Sequence, residues 1–364
     1  MLIEVIDKKI DLENDSKRIA ITTLLNSFRM GNHIIVFEDE VLEEISISKH
    51  FGTNEKSYAL QLKKKKKFFF HSLKLLIYKL RVDFSNDMNL INITENTINV
   101  SYKYCIDNIL NPIKFLTENT IDLKLYKIIT KFYINCELEL IKGIKLSFED
   151  AQGGGDGTKK RFDEFREKNI LCLCLIDNDK KHPNGKKGQT ILKFSSEDFL
   201  LNKTTLAYDI GVHEIENLIP CYIINKIMEN SGKANFTQQQ VETLDILKKL
   251  VCKNFEVKKY FDHKLGITSK NIIEWDKNHG DFWHPIITSL VKNNCLSSKE
   301  CTCSSECKVL HGFSSNLLEK SIDYLDAESV GDFKKNLPDS MKDIWFNIAK
   351  IILGWGCSLE KIRC

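Results

Sequence analysis

The stretch Ile-Leu-Cys-Leu-Cys-Leu-Ile-Asp-Asn-Asp, residues 170–179, joins a continuous apolar run to a pair of aspartates. An apolar run of this length without polar alternation is typical of a strand that is buried on both faces of a parallel sheet. The sequence therefore predicts an α/β fold in which Asp177 and Asp179 lie just past the carboxyl end of a buried strand.

Three further stretches repeat this pattern of an apolar run followed by acidic residues or glycines. They are 113–117 before Glu118 and Asp122, 144–148 before the glycine turn at 153–157, and 206–212 before Glu214 and Glu216. Helix-length segments separate the runs, as expected of parallel strands that are joined by crossover helices. Since the strand carboxyl ends then face one edge of the sheet, where ligands bind, the pattern gathers the carboxylates at that edge.

Gathered carboxylates repel one another and raise each other's pKa unless a cation lies among them. Oxygen ligands without an accompanying His or Cys favour Mg²⁺ or Mn²⁺ over Zn²⁺. The sequence therefore predicts a Mg²⁺ or Mn²⁺ site. Its predicted ligands are Glu118, Asp122, Asp177, Asp179, Glu214 and Glu216.

The order of these motifs resembles the Toprim (topoisomerase–primase) domain, and most of all the version in overcoming-lysogenization-defect (OLD) nucleases and related antiphage systems. The resemblance covers about residues 112–220, and implies a Toprim-like parallel sheet core. It also implies a Mg²⁺-dependent nuclease that acts on DNA or RNA, tRNA included. In such an enzyme Glu118, Asp177 and Asp179 would be catalytic, and Glu216 with Glu214 would complete a second metal position.

OLD-type proteins usually fuse an ATPase to the Toprim domain, but this sequence contains no Gly-x4-Gly-Lys-Ser/Thr phosphate loop. The resemblance therefore implies a toxic effector of phage defence that acts alone or under a separate ABC- or SMC-like ATPase partner. The family also places a lysine late in the domain, and no single lysine of this sequence is matched to it.

Glu38, which follows a predicted strand at 32–37, competes with Glu118 for the end of the first strand. Glu118 is preferred because residues 123–133 have the pattern of the required crossover helix and the glycine turn follows at a normal distance. A domain that began at Glu38 would need an insertion of about a hundred residues, against normal connection lengths. Glu38 is therefore predicted to be a surface acid at a strand end.

The length of 364 residues exceeds the usual size of a single core, so two or three domains are expected. The predicted division is an α+β accessory region at 1–111, a Toprim catalytic domain at 112–220 and a mainly helical region at 221–364. The net charge of only +3 gives no overall basic field. Any affinity for nucleic acid must therefore come from local patches.

Two lysine-rich stretches are candidates for such patches. The turn-rich loop 180–189 follows Asp179 and places cations beside the predicted metal site, where flanking phosphates would lie. Its lysines are Lys180, Lys181, Lys186 and Lys187. The five lysines at 63–67 are equally consistent with a solvated helix start and with a phosphate-contacting patch.

Twelve cysteines without a secretory signal predict reduced thiols in the cytoplasm, and no apolar run has the length of a membrane span. Four cysteines fall within thirteen residues and predict a tetrahedral thiolate site, most simply for structural Zn²⁺. They are Cys295, Cys301, Cys303 and Cys307. His311 is an alternative ligand for one of the sulfurs.

Two other functional classes are also compatible with the sequence. One is a non-catalytic nucleic-acid adaptor that binds through residues 63–67 and the cysteine group. The other is a Toprim enzyme of another kind, either primase-like or RNA-processing. The choice between DNA and RNA, and between a monomer and a homo-oligomer, is also left open.

Overall fold

The computed structural model describes residues 1–88, 91–137, 141, 143–230 and 236–362. The chain forms two compact units. The first unit contains Met1–Leu175, Phe194–Tyr208 and Phe346–Cys364, and the second contains Ile176–Lys193 and Asp209–Trp345. Parallel strands and many helices confirm the predicted α/β class. The three-part division at residues 111 and 220 stays a prediction.

The first sheet belongs to the first unit and is mostly parallel. Its strands are β1 (Leu2–Val5), β2 (Ile34–Val36), β3 (Lys79–Asp83), β4 (Ile91–Thr94) and β5 (Thr97–Ser101). They lie in the order β2-β1-β3-β5-β4, and only β4 runs antiparallel to its neighbour. The helices of this part are α1 (Asp15–Met30), α2 (Asp39–Ile47), α3 (Thr53–Leu73) and α4 (Tyr102–Asn108).

The lysine run at 63–67 lies in the second half of α3. The helix start predicted at this run is wrong, because α3 begins at Thr53. Lys63 forms an ion pair with Glu43, and Lys66 Nζ lies 3.0 Å from Asp39 Oδ1, so both lysines are paired with acids of α2. These two lysines therefore connect α3 to α2, and the phosphate-contacting patch at 63–67 stays a prediction.

The second sheet carries the predicted site strands in the order β10-β9-β6-β8. Its elements are β6 (Ile113–Thr117), β8 (Phe148–Gln152), β9 (Cys172–Ile176) and β10 (Thr205–Asp209), with β7 (Lys145–Leu146) outside it. β6 runs parallel to both β8 and β9. The N–H of Cys172, at the start of β9, donates to the Thr204 carbonyl just before β10. The N–H of Ile210, just after β10, donates to the carbonyl of Ile176 at the end of β9, so these two strands are parallel as well.

Helices and turns connect these strands. They are α5 (Thr120–Cys136), α6 (Gly157–Glu167), α7 (Gln189–Leu192) and two 3-10 helices at Ser196–Phe199 and Ile215–Leu218. The predicted strands at 113–117 and 170–176 and the crossover helix at 123–133 are confirmed by β6, β9 and α5. All five residues of β9 are buried, as the unbroken apolar run indicates.

The strand predicted at 144–148 is wrong in its bounds, since β8 begins only at Phe148. The preceding residues form β7, which pairs antiparallel with β13 (Cys357–Ser358). Ser147 also donates its N–H to the Gly356 carbonyl over 2.8 Å. Residues 145–147 thus hydrogen-bond to residues 356–358, a pairing that the apolar run by itself does not indicate.

The rest of the chain is mainly helical, as predicted. Its helices are α8 (Cys221–Asn230), α9 (Gln238–Lys253), α10 (Glu256–Tyr260), α11 (Ser269–His279), α12 (Trp283–Thr288), α13 (Asn294–Ser298), α14 (Leu317–Ala327), α15 (Val330–Asn336) and α16 (Asp339–Gly356). An antiparallel pair, β11 (Gly266–Thr268) with β12 (Lys308–His311), was not predicted. Within the described ranges, every helix is too short or too polar to cross a membrane.

Candidate functional site

Glu118 follows the last residue of β6 and is held by its backbone. Its carbonyl accepts a hydrogen bond of 3.0 Å from the N–H of Gly154, and the Thr117 carbonyl accepts one of 2.8 Å from Gly153. The Glu118 side chain is half-buried, and its Oε1 is buried without a hydrogen-bond partner. An unpaired buried carboxylate oxygen is unfavourable, so this atom fits a site that a cation completes.

The glycine turn makes a tight contact between the end of β8 and the start of α6. A Cβ on Gly153 would lie 2.2 Å from Thr158 Oγ1, so only glycine fits there. The N–H groups of Gly157 and Thr158 bond the carbonyls of Gly154 and Gly155. Because those donors are already used, the turn serves the strand–helix contact and offers little to an anion.

Asp122 lies in the first turn of α5, where it completes a capping box. Its Oδ2 accepts a hydrogen bond of 2.9 Å from the N–H of Asn119, and the Asn119 side chain accepts one of 3.3 Å from Ile121. Such a box satisfies helix donors that would otherwise lack partners. Asp122 therefore caps the start of α5, and its role as a metal ligand stays a prediction.

The Asp-x-Asp motif is paired directly with the segment that precedes Glu214. Asn178 donates its N–H to the Val212 carbonyl over 3.0 Å, and Asp179 donates to the His213 carbonyl over 2.9 Å. These bonds extend the pairing of β9 and β10 beyond their last residues. Two motifs that are more than thirty residues apart in sequence are thereby adjacent in the second unit.

Asp179 is held in an unusual conformation. Its φ of +54° lies in the left-handed region, which aspartate adopts more readily than most residues. Its carboxylate lies against Gly188, where a Cβ would approach Oδ2 to 1.9 Å. Asp179 is exposed, whereas Asp177 is half-buried. The loop after β9 therefore fixes the direction of the second aspartate, and Gly188 is the residue that leaves room for it.

The Glu-Ile-Glu-Asn motif is fixed by its asparagine. Glu214 donates its N–H to Asn217 Oδ1 over 2.7 Å, which caps the 3-10 helix Ile215–Leu218. The Asn217 amide in turn donates to the carbonyls of Lys258 and Phe261, each over 2.7 Å. All three of these bonds are buried. Asn217 therefore anchors the two glutamates to α10 and the residue that follows it.

The two glutamates of this motif differ in how fully they are bonded. Glu214 Oε1 accepts the N–H of His263 over 2.7 Å, and its Oε2 lies 3.2 Å from Lys264 Nζ. Glu216 is 3% exposed, with Oε1 3.3 Å from Lys264 Nζ, but its Oε2 is buried without a partner. Burial and the charge of Glu216 raise the pKa of Glu214. Of these two glutamates, Glu216 is the one with a buried oxygen to which a cation could bind.

His213, Glu214 and Asp262 place ligand atoms within 4.8 Å of one another and could hold a metal ion. Asp262 Oδ2 already lies 3.0 Å from Lys181 Nζ and 3.6 Å from His213 Nε2. Although burial disfavours the ammonium of Lys264, the charges of Glu214 and Glu216 outweigh it and raise its pKa. Because two ammonium groups already balance these carboxylates, we interpret this group as an ion-pair network.

The lysines of the loop after Asp179 differ in their bonding partners. Lys180 donates to the Pro183 carbonyl over 2.7 Å, Lys181 pairs with Asp262, and Lys187 Nζ lies 2.9 Å from Asp209. Lys186 is exposed, and no ion pair is found for it within the described ranges. Of the four predicted phosphate contacts, Lys186 is therefore the most available, whereas Lys181 stabilises Asp262.

The four cysteines come together in the second unit, with sulfur atoms within 4.8 Å of one another. Cys295 Sγ lies 3.5 Å from Cys303 Sγ and 3.9 Å from Cys307 Sγ. A tetrahedron with Zn–S bonds of about 2.3 Å has sulfurs about 3.8 Å apart, so the group could hold such an ion. His311, the alternative ligand, lies outside this group.

Two neighbouring side chains favour the thiolate form of Cys307. The Ser269 hydroxyl lies 3.3 Å from the Cys307 sulfur, and the Asn293 amide donates to it over 3.6 Å. These hydrogen bonds lower the pKa of Cys307 to about 7. Hydrogen bonds with Cys303 and Cys301 instead raise the pKa of Cys295, so the thiolate, which is the form that ligates a metal, is favoured at Cys307 and not at Cys295.

Comparisons with protein-family models, curated proteins and solved structures find no match for this chain. Its class is therefore defined by fold and site: an α/β protein with acidic motifs at the ends of parallel strands. The sequence patterns did not indicate Asp262 and Lys264. Asp262 pairs with Lys181 of the loop after β9, and Lys264 pairs with Glu214 and Glu216. The only signal for them was a charged Asp-His-Lys triplet before Gly266, more than forty residues past Glu216.

Proposed function

We propose that this chain is a metal-dependent nuclease that hydrolyses phosphodiester bonds of DNA or RNA, tRNA included. The observation that carries the proposal is the backbone pairing of the Asp-x-Asp motif with the segment leading to Glu214 and Glu216. The buried, unpaired oxygens of Glu118 and Glu216 add support, because acids of this kind are stabilised by a cation.

In the second unit, Mg²⁺ or Mn²⁺ would be held by Asp177, Asp179 and Glu216, and Glu118, which belongs to the first unit, stays a predicted ligand. When bound, the metal would activate water for attack and stabilise charge on the leaving oxygen. Gly154 fixes the backbone of Glu118, and Lys264 holds Glu216 through its other oxygen. The other predicted ligands, Asp122 and Glu214, already serve a helix cap and an ion pair.

The test is cleavage by the purified chain. Double-stranded DNA, single-stranded DNA and tRNA are incubated with the protein in Mg²⁺, in Mn²⁺ and in EDTA. Cutting of at least one substrate in either metal, abolished by EDTA and restored by excess Mg²⁺, is the expected result. Binding that persists in EDTA, with no cutting in either metal, would instead favour a nucleic-acid adaptor.

Glu216 and Glu214 are expected to respond differently to neutralisation. Glu216→Gln should raise the Mg²⁺ concentration for half-maximal cleavage by about tenfold or more, because a direct ligand is lost. Glu214→Gln should mainly lower the melting temperature, because it weakens the bonds to His263 and Lys264. Metal titrations and thermal melts of both variants distinguish these effects, and the reverse pattern would exchange the two roles.

We further propose that the nuclease is a toxic effector in phage defence, controlled by a separate ABC- or SMC-like ATPase. The support is the motif order together with the missing phosphate loop in this sequence. Co-purification with the product of a neighbouring ATPase gene, and a change in the cleavage rate when that partner is added to the purified chain, would test the control. A cleavage rate that the partner leaves unchanged would contradict it.

We also propose that the cysteine group binds structural Zn²⁺. The support is the spacing of the four sulfur atoms, which suits one tetrahedral ion. Such a site would hold α13 and the loop that follows it against the start of α11, where Ser269 lies.

A further inference from the structure

A cavity of about 260 Å³ lies in the second unit, between α8, α9, α10 and the residues around Pro338. Its walls combine apolar side chains with two lysines. The lining includes Tyr222, Lys248, Val251, Phe255, Lys258 and Met341. A concave, mostly apolar site with a few convergent polar groups is the usual form of a small-molecule site.

Lys258 is the unusual member of this lining. It is 1% exposed, and within the described part of the chain no carboxylate lies within ion-pair distance of its ammonium. Its hydrogen-bond partner is Nε2 of His263, at 2.9 Å. Burial lowers the pKa of His263 well below its ordinary value, so the imidazole is neutral and accepts this bond. The charges of Glu214 and Glu216 act on this ammonium only from beyond ion-pair distance. A buried ammonium without an adjacent counter-charge is unfavourable, so an anion bound in the cavity would stabilise it.

The second lysine of the lining, Lys248, is partly exposed. Its Nζ lies 2.9 Å from Asn225 Oδ1 and 3.5 Å from Asp245 Oδ1. Burial lowers the pKa of Lys258 to about 8, so near neutral pH most molecules still carry the charge. Two lysines thus line one cavity together with the apolar side chains of Val251 and Phe255.

We propose that this cavity binds a small organic anion, a phosphate or carboxylate carried on an aromatic or apolar body. The anion would bond Lys258 and Lys248, and the body would pack against Val251, Phe255 and Met341. The volume limits the ligand to about the size of a nucleoside monophosphate or smaller.

Lys258 also connects this cavity to the Glu-Ile-Glu-Asn motif. Its carbonyl accepts the Asn217 amide, and its ammonium bonds His263, whose N–H holds Glu214. A bound anion would therefore act on two groups that position the glutamates. Any effect on cleavage rests on the proposed function, so binding is measured separately and does not depend on it.

The experiment is calorimetric titration of the full chain with phenyl phosphate, benzoate and adenosine monophosphate, and with adenosine as the uncharged control. We expect at least one anion to bind one-to-one with a Kd tighter than about 1 mM, and adenosine to bind far more weakly. Binding of only the phosphates, or only benzoate, would identify the anionic group. Failure of all three anions to bind would overturn the proposal, whatever the nuclease assay gives.

Variants locate the binding. Lys258→Met keeps a long apolar stem and should abolish binding, whereas Lys249→Gln, at an exposed neighbouring position on α9 outside the lining, should bind like wild type. Lys248→Gln alters a partly exposed residue, so it should fold even where Lys258→Met does not, and should weaken binding about tenfold. Unchanged affinity in Lys248→Gln and in any folded Lys258→Met would contradict the assignment.

Discussion

Glu118→Gln and Asp177→Asn are each expected to reduce Mg²⁺-dependent cleavage by about a thousandfold or more, because metal ligands act as a unit. Each change replaces a negatively charged ligand by a neutral amide of nearly the same shape. At Glu118 the half-buried side chain keeps its volume, so the fold should be retained. Cleavage rates at saturating Mg²⁺, with thermal melts of the same preparations, measure both properties.

Glu38→Gln is the matched control for this prediction. Glu38 also follows a short strand, β2, but that strand is at the edge of the first sheet, whereas β6 before Glu118 belongs to the second. The control should therefore cut at the wild-type rate. Wild-type cutting by folded Glu118→Gln and Asp177→Asn would refute the active-site assignment. Loss of cutting in Glu38→Gln alone would transfer the site to the first sheet.

Cys303→Ser is expected to remove zinc from the protein and to lower its melting temperature by several degrees. A hydroxyl is a poor zinc ligand, and the binding free energy of a closed thiolate site contributes directly to folding. The Mg²⁺ requirement of cleavage should stay unchanged, because none of the four cysteines belongs to the proposed Mg²⁺ ligands. Elemental analysis of protein purified without chelator should give about one zinc per chain.

Cys252→Ser provides the control for this loss, since Cys252 is an exposed free thiol outside the group. It should keep both zinc and melting temperature. Zinc-free wild-type protein, with all four thiols of the group reacting freely with a thiol reagent, would show that the group is a plain loop. A Cys303→Ser variant that loses its Mg²⁺ dependence would give the cysteines a role in the active site.

Local patterns in the sequence determined the elements that carry the proposed site. The apolar runs at 113–117 and 172–176 specify β6 and β9. The run of β9 is unbroken, because a strand that is buried on both faces has no polar position, whereas β6 contains the half-buried Lys114. The acids that follow them are adjacent in the chain, so their place at the strand ends needs no tertiary information. The same holds for α5, whose start is specified by Asn119 and Asp122 within four residues.

Tertiary structure alone decided how these acids are bonded. Lys181 meets Asp262 across 81 positions of the chain, and Lys264 meets Glu214 and Glu216 across about fifty. It also decided that residues 145–146 pair with the end of the chain instead of continuing into β8. Spacing along a sequence encodes periodicity and strand ends, whereas ion pairs and strand partners between remote residues follow from the packing of the whole chain. The buried Lys258 is a further example, since nothing around it in the sequence indicates that its ammonium would bond the imidazole of His263.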